Sequence, residues 1–411
     1  MANDPRRAVD AGPSIAGGVA YVGTRAGTVY AIGGTKNVAA PKARPRGTPA
    51  LAWRTSAVNA AENSPTVAGG IAYVDDARRD LVALDVATGE VRWRYRHGPG
   101  VCSNLTVVGN VAYAGCEDTH LYAVDATTGQ LLWRYDAGTT VDGPPNVVGG
   151  MIYIGTERRG KGGAVVALDA TTGQERWRVA VDGDLYGALA VTGDVAYVPV
   201  WLGSSGSQSR ADSEILALST SNGTLLWSRE IPGLVERALT VVDNIIYLGS
   251  SQGVCALDAA TGDLRWRFIP TGDTRLSWTP AVAGGIVYAS GRAPYLYALD
   301  ATTGEERWHA AIGSVGGPPV SPATVADGVI YVGGDGLVAA LDAVSGAERW
   351  RFTGDFSVAE AVSIGDGFVL FGAAEPAGTD FSRNLAARGA LYALANPDQG
   401  APVTGGAAIP T

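Results

Sequence analysis

Tryptophan returns along this chain at a nearly constant step. It stands at Trp53, Trp93, Trp133, Trp177, Trp227, Trp266, Trp308 and Trp350, at steps of 40, 40, 44, 50, 39, 42 and 42 residues. A period in this range means that one small unit is repeated. A unit of that size cannot bury its own apolar face and must stack on its neighbours. One phrase precedes most of the tryptophans: LVALDVATGEVRW ends at Trp93, LYAVDATTGQLLW at Trp133 and LYALDATTGEERW at Trp308. The shared frame is Ala-x-Asp-x-x-x-Gly-x-x-x-Trp. The units ending at Trp93, Trp133, Trp177, Trp266, Trp308 and Trp350 match it fully. The unit ending at Trp227 has Ser219 in place of the Asp, the first unit has a long insertion before Trp53, and a final unit, GALYALANPD, has no Trp.

Each unit reads as four short strands, here called A to D. In one of them A is SPTVAGG (64–70), B is GIAYV (70–74), C is DLVALD (80–85) and D is EVRWRY (90–95). Alternating apolar and β-branched residues predict strands, and Gly-Gly, Gly-Asn and Thr-Gly predict the turns. The 57 glycines of the 411 residues follow no triplet period, so they belong to turns rather than to a collagen-like helix. Asp85 is placed to accept bonds from the turn backbone, and Gly89 supplies its left-handed residue. Sheets set around an axis, with the indole wedged between neighbours, bury both faces of each sheet. The prediction is an all-β propeller of four-stranded antiparallel blades, one domain over 1–395, with a flexible tail over 396–411.

The frame resembles the tryptophan-docking motif of the pyrroloquinoline-quinone (PQQ) enzyme repeat, over roughly residues 10 to 395. That bacterial family includes periplasmic quinoprotein alcohol dehydrogenases, the outer-membrane assembly lipoprotein and the sensor domains of receptor kinases. The resemblance implies a propeller with eight blades as the norm. Nine A–B–C units can be counted here, but only eight Trp-bearing D strands. Two closures remain. Nine blades could form, with Ala2–Arg7 as the missing outer strand, or eight blades with a spare three-stranded unit; the module count leans to nine.

In such a blade the B–C and D–A connections leave at one end and the A–B and C–D turns at the other. The C–D turns are nearly uniform. The B–C connections are not: they include DDARRD (75–80), CEDTH (116–120), TERRGKGG (156–163), PVWLGSSGSQSRADSE (199–214) and AAEPAGTDFSRNLAARG (373–389). Variation gathered at one end of a rigid scaffold points to function there. The starts of the A strands rim the channel at this end. They bring Glu62, Asp142, Glu236 and Glu360 as acid–base candidates, Arg237 as a partner for an anion or carbonyl, and Asn63, Tyr186 and Trp278 as ligand contacts. Trp201 and Trp278 are the two tryptophans outside the repeat frame, and both fall at this end, which makes them stacking candidates.

His120 follows Cys116, Glu117 and Asp118 and is a further candidate for binding a ligand, holding a metal or acting as a base. Cys102 and Cys116 flank the Gly109-Asn110 turn. A two-residue turn sets them on opposite faces, so no disulfide is expected. GTERRGKG (155–162) falls short of a phosphate-binding loop, because Gly162 stands where Ser or Thr is needed and a strand follows. The net charge of −9 argues against nucleic acid as a partner. No apolar run is long enough to span a membrane. The opening MANDPRRAVD is not a signal peptide. A complete chain is therefore expected in the cytoplasm, and one trimmed of a leader or anchor in the periplasm or outside the cell.

Through the resemblance, PQQ and calcium become candidate cofactors. The family's dehydrogenases carry two adjacent cysteines against the quinone; this chain has no such pair, and no residue matches their calcium ligands one by one. The primary expectation is a monomeric ligand- or protein-binding scaffold or sensor that engages a small molecule or a protein at the variable end. The alternative is an enzyme at the acidic, aromatic channel mouth, either a PQQ-type oxidoreductase or a cofactor-free cyclase or lyase. A third candidate contact surface, for a partner or an anionic surface, is the basic insertion KNVAAPKARPRG (36–47) at the opposite end, with a solvated loop as the more ordinary reading.

Overall fold

The computed structural model describes residues 13–16, 19–23, 29–33, 49–58, 64–76, 79–157, 162–185, 188–202, 213–235, 237–271, 275–291, 294–313, 320–358, 360–375 and 388–398. These residues form strands and turns and no helix, so none is long and apolar enough to cross a membrane. Blade 1 consists of Thr66–Ala68, Ile71–Asp76, Asp80–Asp85 and Val91–Arg96, paired in that order. Blades 2 to 6 repeat it over 106–136, 140–181, 190–231, 240–268 and 281–311. In blade 7 the run Val329–Asp342 fills both middle positions, pairing with Thr324–Ala326 at its start and with Glu348–Ser357 at its end.

Blade 8 is assembled from both ends of the chain. Ser363–Gly365, Phe368–Glu375 and Arg388–Ala395 take Leu51–Thr55 as their outer strand, with Tyr392 opposite Arg54 and Ala393 opposite Trp53. Each innermost strand touches the next around a closed circle, and the strand of blade 8 touches that of blade 1. Across this last seam Ser64 Oγ donates to the Ala361 carbonyl at 2.9 Å, and Ser363 Oγ donates to the Pro65 carbonyl. The ring therefore closes with eight four-stranded blades, not the nine favoured by counting modules. The Trp53 strand is the outer strand of the last unit, so among the described residues the first A–B–C unit has no D strand of its own. That unit is a separate three-stranded sheet, Pro13–Ala16, Val19–Gly23 and Val29–Gly33, whose first strand lies against the innermost strands of blades 3 and 4. Ala2–Arg7 lies outside the described residues, as does the basic insertion 36–47. At the other end Asn396 Nδ2 donates to Tyr331 Oη, and Asp398 accepts from the Trp350 indole at 2.8 Å. The docked chain thus runs three residues beyond 395.

The repeat frame works at the seams. Trp93 of blade 1 donates its indole N–H to the Ala126 carbonyl in the C–D turn of blade 2, and Trp266 of blade 5 donates to Ala301 of blade 6, both at 2.9 Å. The same carbonyls take the hydroxyls of Tyr73 and Tyr247. The turn glycine has two duties. Gly129 has φ +72°, and a Cβ there would stand 2.6 Å from the Trp93 ring. Only glycine satisfies both the left-handed backbone and the indole lying on it. The Asp of the frame holds the turn: Asp169 accepts from the Thr171 and Thr172 N–H groups at 3.0 Å and from Arg176 at 2.7 Å.

These bonds favour the ionised carboxylate. The hydrogen bond from Arg176, then those from Thr172, hold Asp169 down at about 2; Arg307 and the turn N–H groups do the same for Asp300. An acid whose pKa is depressed by folding stabilises the fold above its unfolded value, about 3.9. That contribution is lost as pH falls through about 2. The denaturation midpoint is therefore expected to fall steadily below about pH 4, and Asp169→Asn combined with Asp300→Asn should flatten that slope in urea titrations. An unchanged slope would show that other carboxylates set it.

Candidate functional site

Among the described residues, the side chains at the end of the ring that carries the B–C and D–A connections gather into two groups. The first is at the channel mouth. Arg237 stands just before the first strand of blade 5, Trp278 before that of blade 6 and Glu360 before that of blade 8. The Arg237 guanidinium lies over the Trp278 ring, 3.9 Å from its centroid, and its Nη1 is 4.0 Å from Glu360 Oε1. Arg237 and Trp278 are 5% and 7% exposed, so this pair is packed inside the mouth. Trp278 is fixed by its indole N–H, which donates to the Val320 carbonyl at 2.6 Å. The buried hydroxyl of neighbouring Ser277 has no hydrogen-bond partner. Val320 also lines a cavity of about 370 Å³ between blades 6 and 7, with Ile312, Asp335, Leu337 and Arg351 around it.

The residues proposed from sequence are thus unevenly placed. Arg237, Trp278 and Glu360 come together. Glu62, Asn63, Tyr186 and Glu236 lie outside the described residues, as does the side chain of Asp142, whose backbone is in the inner strand Thr140–Val148. Trp201 ends the long strand Val195–Trp201, and its backbone exchanges two hydrogen bonds with Asp184. It anchors the connection into blade 4. His120 is half-buried, with Nδ1 2.9 Å from the Asp118 carbonyl, and Asp118 in turn accepts from Tyr122 Oη. The His120 carbonyl accepts the Cys116 N–H at 2.9 Å, and its ring is not part of the group that Cys116 forms with His97 and Cys102.

Cys116 belongs to the second group, and here the expectation of unpaired cysteines is overturned. Cys102 and Cys116 form a disulfide with their Cα atoms 3.9 Å apart. The hairpin pairs Tyr113 with Thr106 and Val111 with Val108, a register that would set Cys102 opposite Glu117. Between Ser103 and Leu105 the ladder breaks and the register slips by one residue. Cys102 then lies directly opposite Cys116, between the bonds Ser103 N–H to Gly115 and Glu117 N–H to Val101. A slip of one residue reverses the face of every later side chain. Beside the disulfide lie two groups not among the sequence candidates. His97, fully buried, holds Asp75 Oδ1 at 2.9 Å through Nε2, and Asp75 Oδ2 accepts the Cys102 N–H at 3.0 Å. Burial pushes the Asp75 carboxyl up to about 6 against the lowering effect of these bonds. A buried His following a D strand is an ordinary sequence feature, and no local signal pairs it with a carboxylate two strands away.

The family profile described as outer membrane protein assembly factor BamB matches residues 2–116, 37–161, 117–321, 250–364 and 293–387. Among curated proteins none matches in sequence. Solved structures of similar fold include a europium-containing methanol dehydrogenase, at 16% identity and a TM-score of 0.70 over 84% of this chain and 93% of that one. A quinohemoprotein alcohol dehydrogenase from Pseudomonas putida has 18% identity and a TM-score of 0.65 over 88% and 78%. BamB from Moraxella catarrhalis has 17% identity and a TM-score of 0.61 over 85% and 100%. At these identities the likeness is one of fold.

Proposed function

The chain belongs to the PQQ-repeat propeller family, and from that premise we propose that its channel mouth is the active site of an enzyme for a small molecule bearing a carbonyl or carboxylate. One observation carries this reading: a charged pair, Arg237 and Glu360, is held at 4.0 Å inside the mouth, with the guanidinium laid on Trp278. Burying charge is costly, and a well-packed apolar plug would close the channel at least as well. Charged groups kept in such a place are site candidates. In this reading Arg237 takes the ligand's oxygen atoms, Trp278 is the wall, the unpaired Ser277 hydroxyl hydrogen-bonds the ligand, and the Glu360 carboxylate takes or returns a proton.

The quinone fits poorly. A planar cofactor stacks on an open aromatic face, and one of the two faces of Trp278 carries Arg237. Calcium needs about six to eight oxygen ligands. Among the described residues the one cluster of three or more metal-binding side chains is His97, Cys102 and Cys116, which offers no oxygen. No step is therefore assigned to PQQ. The two similar dehydrogenase structures share the scaffold, and their cofactor is not carried over to this chain. The buried disulfide suits an oxidising compartment, and on that ground we place the chain outside the cytoplasm.

The test is a thermal-shift and turnover screen against small carboxylic and keto acids. Arg237→Ala should weaken the best ligand by about tenfold or more, the worth of a charge-assisted bond. Glu360→Gln should leave affinity nearly unchanged and lower turnover by about 10²–10⁴-fold. Binding that depends on Arg237 without turnover in the wild type would favour the second reading, a ligand-binding scaffold or sensor. Binding indifferent to Arg237 would remove the mouth from consideration.

A further inference from the structure

Asp75, His97, Cys102 and Cys116 form a compact buried group that the mouth does not use. One ligand atom from each of His97, Cys102 and Cys116 lies within 4.8 Å of the others, and all three residues are buried. His97 is held by Asp75 through Nε2, yet its Nδ1 is buried with no hydrogen-bond partner. A neutral imidazole that donates from Nε2 to a carboxylate presents a lone pair at Nδ1. An imidazole oriented by a carboxylate is the arrangement found around metal-binding histidines, and one nitrogen of the His97 ring lies within 4.8 Å of both sulfurs. A disulfide cannot supply thiolates, so the third and fourth elements of such a site are locked while the bond is closed.

We propose that this cluster is a redox-gated site for one thiophilic divalent cation of the zinc class. A dithiol reduces the Cys102–Cys116 bond by exchange: two electrons and two protons pass to the two sulfurs, and the dithiol leaves as its own disulfide. The two thiols then lose their protons as the cation binds, and His97 Nδ1 completes a set of two sulfurs and one nitrogen. Ligand atoms around one tetrahedral zinc stand at about 2.0–2.3 Å from it. Donors already gathered inside 4.8 Å reach that arrangement by small side-chain rotations. Asp75 does not bind the metal; it positions His97. Oxidised, the pair cross-links the entry to blade 2; reduced, the cation replaces the cross-link.

The experiment compares the oxidised protein with protein reduced by a phosphine and desalted, each titrated with Co²⁺ and then Zn²⁺. The reduced protein should take one equivalent of Co²⁺, with a thiolate-to-cobalt charge-transfer band and tetrahedral visible bands. The oxidised protein should show neither. Zn²⁺ should bleach the bands, appear as one bound ion in native mass spectrometry, and raise the melting temperature of the reduced protein. Cys255→Ser, which alters the buried cysteine of blade 5, should leave the spectrum unchanged; Cys102→Ser and His97→Ala should abolish or alter it. If either variant fails to fold, the oxidised and reduced wild-type proteins still decide the matter. Reduced protein that gives no cobalt band and no thermal gain from zinc overturns the proposal, as would the same band in the oxidised protein.

Discussion

Trp266→Ala is expected to lower the unfolding free energy by about 3–5 kcal/mol, the usual result of emptying a large aromatic from a packed seam. The ring is 8% exposed, lies where a Cβ on Gly304 would stand 2.6 Å away, and packs 6.0 Å from Tyr247 between centroids. Its N–H bond to Ala301 adds about 1 kcal/mol. Domains are commonly stable by only about 5–15 kcal/mol, so one seam carries a large share. Trp308 supplies the control. It packs on Gly346 in the same manner, but its indole N–H has no hydrogen-bond partner. Trp308→Ala should therefore cost about 1 kcal/mol less than Trp266→Ala in denaturant titrations. Equal losses would mean that the seam is held by ring packing alone.

The other large effect concerns closure. Removing residues 1–48 should leave the eight-bladed ring folded, because every blade is complete from Leu51 onward. Removing residues 1–56 takes away the outer strand of blade 8. It deletes the pairing of Leu51–Thr55 with Leu391–Leu394, the bond from Ala395 N–H to the Ala50 carbonyl, and the Trp53 indole that donates to Val86 and lies on Gly89. An apolar strand edge and an open seam would then face water, a setting that favours aggregation. The longer deletion should melt far earlier and associate on heating. Equal melting of the two truncations would place the outer strand of the last blade elsewhere in the chain.

The repeat frame made the blades legible, because Trp, Gly and Asp each meet a need that recurs at most seams. The count was less legible. Residues 13–33 have the A–B–C pattern of a blade, and local pattern says nothing about which unit the Trp53 strand joins. That choice is a pairing between residues more than 330 positions apart. At the mouth, alignment of the A strands brought out Arg237, Trp278 and Glu360, since each occupies the same place in its unit. The Asp75–His97–disulfide group was hidden by one local event, the slip between Ser103 and Leu105. Ideal hairpin parity puts the two sulfurs on opposite faces, and only the broken ladder brings them together.

Calorimetric titration is the most direct test of the channel mouth. Wild-type protein and Arg237→Ala are titrated with a panel of small carboxylic and keto acids, and separately with PQQ plus calcium. At least one acid should bind the wild type with one-to-one stoichiometry and the variant about tenfold or more weakly, a difference of about 1.4 kcal/mol or more, while the quinone and calcium give no binding heat. Tight binding of PQQ with calcium, unchanged by Arg237→Ala, would contradict this account and return the chain to the quinoprotein enzymes.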